Sequence, residues 1–174
     1  MTLFAKIPPK NTARIRFTLG RKNLLSEFIV LEQGAQFAHA EAVLSDGTIV
    51  ASIINIGVQH YPNNEWYNSG TTDQQFIDLP MTADQYANWV NYLFSIVGSK
   101  FDDEAAIGIL FGLPLHCAKE FICSMVVISS LVNPKVKWCR MLDADQITTP
   151  TQLLWMLKAD KRCIVHPPES ESNP

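Results

Sequence analysis

The chain has 174 residues, 47% of them hydrophobic and 18% charged, with a formal net charge of −3. That length suits one domain with a full apolar core that needs no disulfide or metal staple. Lysine and arginine are scattered along the chain, which excludes the basic footprint of a nucleic-acid binder.

At the N-terminus, MTLFAKIPPK places Pro8 and Pro9 where a secretory leader would need an unbroken apolar run. The expectation is a protein made in the cytoplasm without a signal peptide. Ala13 to Leu19 alternates polar and apolar residues and predicts a strand. Leu24, Leu25, Phe28, Ile29 and Leu31 then recur at helical spacing up to Gly34. Two β-patterned runs follow, Phe37 to Leu44 and Thr48 to Ser52, joined by the hairpin signal Asp46-Gly47. Further strands are expected over 57–61 and 74–80, separated by a polar, turn-rich loop.

Thr82 is positioned to cap a helix that carries Tyr86, Trp89, Val90, Leu93, Phe94 and Val97 on one face and stops at Gly98. A short helix is expected in DEAAIGILFG (103–112). The segment KEFICSMVVISSLVNP is apolar on nearly every side and ends at Asn133-Pro134, as a central helix would. Its apolar run, Phe121 to Val132, is well below the roughly 20 residues that span a bilayer, so no membrane-spanning segment is expected. Trp138 and Cys139 read as strand, and Thr149 with Pro150 opens a last helix. Residues 1–166 are expected to form one domain and 167–174 a solvated tail.

The chemistry concentrates in three residues. Residues i and i+2 of a strand share a face, so His39 and Glu41 lie side by side, about 7 Å apart at their Cα atoms. Ala38, Ala40 and Ala42 fill the opposite face and invite close packing by the central helix. Cys123 falls at the first turn of that helix, where unpaired N–H groups and the helix dipole favour a thiolate. Cysteine, histidine and a carboxylate are the parts of a thiol nucleophile site. Each also has an ordinary structural reading, as a core thiol, a satisfied strand histidine and a salt-bridge partner.

The other cysteines, Cys117, Cys139 and Cys163, form no C-x-x-C pair, and free thiols are expected. Zinc is the competing arrangement, with His116, Cys117, Cys123, Cys163 and His166 as available ligands. The paired spacing of structural zinc sites is absent, and no metal or organic cofactor is expected.

The order of FAHAEAVLSDGTIVAS, GVQHY, GSKFDDEAAIGILFG, FICSMVVISSLV and ITTPTQLLWML resembles the circularly permuted branch of the NlpC-type papain-like cysteine hydrolases, to which the lecithin:retinol acyltransferase-like enzymes are related. The resemblance spans about Lys22 to Leu157. It implies an α+β fold, a small antiparallel sheet packed against a central helix that carries the cysteine. It also implies Cys123 as nucleophile, His39 as general base and Glu41 as the carboxylate that orients the imidazole. In acyltransferase-like relatives the third polar residue lies on the next strand, which keeps Ser52 in reserve. Ala38 and Met125 depart from the serine and glutamate common at the matching positions.

The expected activity is an amidase or endopeptidase cutting peptides of bacterial peptidoglycan. A protein of this kind without a signal peptide fits a toxin or phage-type enzyme delivered to the periplasm of a target cell, with an inhibitory immunity protein as partner. A lipid acyl hydrolase or acyltransferase is the first alternative, and a non-catalytic binding or assembly module of the same fold the second.

Overall fold

A computed structural model describes residues 6–20, 36–62, 71–111, 117, 119–139 and 148–170. The helix expected over 21–33 and His116, one of the available zinc ligands, lie outside them. In chain order the described elements are β1 (Thr12–Gly20), β2 (His39–Val43), β3 (Ile49–Ile53), β4 (Gly57–Tyr61) and β5 (Thr71–Pro80). They are followed by α1 (Ala83–Ser95), α2 (Asp103–Phe111), α3 (Cys123–Val132), α4 (Pro150–Ala159), β6 (Ile164–Val165) and β7 (Glu169–Ser170).

The strands make one antiparallel sheet in the order β4-β3-β2-β1-β5-β6, with β7 also paired to β5. Alternation along β1 sorts its side chains. Ala13, Ile15 and Phe17 enter the main core, while Arg14, Arg16 and Thr18 point to the other face and are nonetheless buried. The sheet is therefore covered on both sides, one apolar and one charged.

Helix α3 lies on the apolar side. Val126, Val127, Ile128 and Leu131 share a core with Ala40, Ala42 and Val50, so the small alanines of β2 do admit the helix closely. Helix α1 begins at the expected cap, Thr82, which forms a capping box with Gln85, and it buries Trp89 and Leu93. The Trp89 indole N–H donates to Ser130 Oγ at 2.9 Å, which fixes α1 against α3. Gly57 opens β4 at a φ of +88°, and a Cβ there would sit 2.2 Å from Ser99 O. Only glycine allows β4 to meet the end of α1, where Val58 N–H donates to Ser99 O at 2.8 Å.

Two expectations fail. No strand forms at Trp138 and Cys139; their N–H groups turn back onto Leu131 O, closing the segment after α3 onto the end of that helix. Nor is 167–174 a tail throughout, because β7 pairs with β5 and Glu169 receives a hydrogen bond from Gln74 Nε2 at 2.9 Å. A two-residue strand rich in serine and glutamate has no apolar alternation from which to be read.

Candidate functional site

The site forms where β2 and β3 part. They pair at Ala42↔Val50 and Val43↔Ile49, next to the hairpin, and the ladder extends no further toward His39 and Ile53. Leu44 N–H donates to Thr48 O at 2.8 Å, so the even-numbered N–H groups of β2 point toward β3. Continued by two residues, the register would set Ala40 opposite Ser52. There the chain leading into α3 takes the place of the missing ladder: the Ala40 N–H is directed to the Cys123 sulfur, and the Ser52 hydroxyl donates to Phe121 O. Phe121 is held further by its N–H to Lys100 O at 3.0 Å and by Asp102 N–H to its carbonyl at 3.4 Å.

Cys123 is the first residue of α3, after Ile122, whose side chain makes no capping bond. The free N–H groups of Cys123 and Ser124 face the sulfur instead. The adjoining Ser124 hydroxyl bonds Thr148 O, tying the start of α3 to the start of α4. Thr151 on α4 in turn bonds both Phe37 N–H and Phe37 O, at 3.2 and 3.1 Å, two residues before β2 begins.

His39 and Glu41 occupy the charged face of β2. His39 Nε2 lies 3.6 Å from Glu41 Oε2, with 16% of the histidine side chain exposed and none of the glutamate. Glu41 Oε1 accepts from Arg16 Nη1 at 2.9 Å across the β1–β2 pair, in register with it. Thus the Cys123 sulfur meets the backbone one residue after His39, and the Glu41 carboxylate faces the imidazole. Ser52 is placed differently, with its hydroxyl on the backbone entering α3.

The protonation states differ from the sequence expectation. Burial, with the Arg16 charge adding to it, pushes the His39 pKa down to about 3. Burial pushes the Cys123 thiol up to about 11, with Glu41 adding to it, against the three backbone N–H groups that favour the thiolate. Desolvation outweighs the helix start. Both shifts favour the neutral forms, thiol and imidazole, at neutral pH. Burial raises the Glu41 pKa on balance, opposed by the Arg16 charge and hydrogen bond.

Arg16 and Gln74 were not singled out in the sequence, where a charge on an alternating strand reads as solvent-facing. Only the cross-strand register reveals that Arg16 meets Glu41. Of the remaining cysteines, Cys139 is buried in the main core with Cys163 packed against it, and Cys117 N–H donates to Asp102 Oδ2 at 2.9 Å.

No family model matches the sequence, and no curated protein does. Among solved structures the chain matches the metalloprotein YiiX, a DUF1105 protein of Escherichia coli O157:H7, with a TM-score of 0.65 over 92% of this chain and 98% of that one, at 12% identity. The two folds are alike. The expected α+β architecture, an antiparallel sheet packed against helices, is the architecture found.

Proposed function

We propose that the protein is a cysteine hydrolase that transfers an acyl group to Cys123 and then to water. The observation that carries this reading is the junction of Cys123 with Ala40, beside a histidine that faces a buried carboxylate. With thiol and imidazole both neutral at rest, the Cys123 proton passes to His39 as the sulfur attacks the carbonyl. Glu41 Oε2 lies 3.6 Å from His39 Nε2, and its carboxylate stabilises the imidazolium that forms. Backbone N–H groups at the start of α3 are the donors available to the oxyanion. His39 then protonates the leaving group, and in the second half it takes a proton from the water that cleaves the thioester.

Peptides of the bacterial cell wall are the substrate favoured by the family resemblance. An acyl lipid is the second reading, and one observation favours it: Ala105, Ile122 and Met125 form a small apolar cluster with Phe101, Ala106 and Phe121 next to Cys123, and Ile107 on α2 is exposed. Incubating wild type and Cys123→Ala with peptidoglycan fragments and with phospholipid vesicles, with products read by mass spectrometry, decides between them. New cleaved peptides that require Cys123 support the first reading. Released fatty acid that requires Cys123 replaces it with the second, and no Cys123-dependent product in either arm rejects both.

The similar E. coli protein is described as a metalloprotein. The described residues offer no set of metal donors. Among the described residues no three His, Cys, Asp or Glu side chains converge, and Glu41 Oε1 is already held by the Arg16 cation. No step is therefore routed through a metal.

A further inference from the structure

The charged face of the sheet holds a row of side chains that runs across four strands. Glu41 on β2 meets Arg16 on β1 at 2.9 Å, and Arg16 Nε donates to Gln74 Oε1 on β5 at 2.9 Å. Gln74 Nε2 donates to Glu169 Oε2 on β7 at 2.9 Å, and Glu169 pairs with Lys6 near the surface. The Gln74 amide is used at both ends, so its orientation is set by donor and acceptor together. Arg16, Glu41 and Gln74 are all buried.

A buried ion pair adds little net stability, because desolvating both charges offsets their attraction. The free end of this pair gives it another purpose. Glu41 Oε2 is buried without a hydrogen bond among the described residues, and it lies 3.6 Å from His39 Nε2. A carboxylate held for stability alone would fill both oxygens.

We propose that Arg16 is a positioning residue of the candidate site: its guanidinium, braced by Gln74, holds Glu41 as an anion aimed at His39, and so extends the site across the sheet to the Glu169–Lys6 pair. This rests on the hydrolase reading above. Among the described residues, the charged or titratable groups around Glu41 are Arg16 from β1, His39 from its own strand and the Cys123 thiol from α3. Of these, Arg16 is the cation that offsets burial. Without it, a fully buried carboxyl takes up a proton and can no longer stabilise an imidazolium.

The test compares wild type, Arg16→Lys, Arg16→Met, Glu41→Gln and the Arg16→Met/Glu41→Gln double variant. One readout is turnover of p-nitrophenyl acetate, an activated ester. The other is the carboxyl carbon resonance of Glu41 in glutamate-labelled protein, assigned by its loss in Glu41→Gln. The expected result is a carboxylate signal at about pH 7 in wild type and Arg16→Lys, and a carboxylic-acid signal in Arg16→Met. Turnover should fall about tenfold or more in Glu41→Gln. It should fall no further in the double variant, because Arg16 acts through Glu41. A double variant that loses the product of two separate defects, or a Glu41 that stays ionised in Arg16→Met, overturns the proposal. Should Arg16→Met not fold, the double variant removes both charges at once and still gives the comparison with Glu41→Gln. If wild type itself turns over no ester, the hydrolase reading fails, and the Glu41 resonance alone decides what Arg16 does.

Discussion

Replacing His39 by glutamine removes the most strongly perturbed base of the site while keeping a polar side chain of similar reach. In the folded protein the imidazole is held neutral down to about pH 3, against 6.5 for an ordinary histidine. A depressed pKa contributes stability that is complete above the unfolded value and is lost as pH falls through the folded value. Between neutral pH and about pH 4, at 1.36 kcal/mol for each pH unit below 6.5, His39 should account for a loss of about 3 kcal/mol. Urea unfolding of wild type and His39→Gln at about pH 7 and about pH 4 isolates this share, because every other titrating group is common to both. Wild type should lose about 3 kcal/mol more than the variant over that interval. Equal losses would mean that His39 is charged or solvated in the folded state, and the neutral thiol–imidazole pair would have to be abandoned.

Two further expectations concern the neighbours of His39. With its thiol pushed up to about 11, Cys123 at pH 7 is thiolate in about one molecule in ten thousand. Its alkylation by iodoacetamide, followed by peptide mapping, should be about a hundredfold slower than that of a free cysteine and rise about tenfold per pH unit; a rate already at its plateau near neutral pH would point to a preformed thiolate–imidazolium pair. Ser52→Ala deletes the hydrogen bond to Phe121 O and should cost about 1 kcal/mol in urea unfolding. Loss of ester turnover at unchanged stability would instead give Ser52 a part in orienting the imidazole.

Local signals located most of the architecture. The β4 strand matches its expected range at Gly57–Tyr61, and both capping boxes, at Thr82 and Thr149, mark helix starts that the sequence announces. The alternation of alanines with His39 and Glu41 indicated which face of β2 the helix would cover. What stayed illegible depends on partners far along the chain. Glu169 belongs to the sheet because Gln74 and Lys6 meet it, and no pattern within PPESESNP encodes that. Arg16 carries no signal of its own, because alternation along a strand cannot tell a solvated face from a covered polar one. The thiolate expectation erred for a related reason. The donors at the start of α3 are local and visible in the sequence, whereas the desolvation that outweighs them comes from strands and helices brought in by the fold.

The central claim is that Cys123 becomes acylated with His39 as its base. Brief mixing with p-nitrophenyl acetate, acid quenching and intact-mass analysis would test it most directly. Wild type should gain one acetyl group, mapped to Cys123, and release it with time. Cys123→Ala should gain none there, and His39→Ala should acylate more slowly by about a hundredfold or more. Acetylation of wild type at other residues only, or at Cys123 with a rate unchanged by His39→Ala, would contradict the assignment.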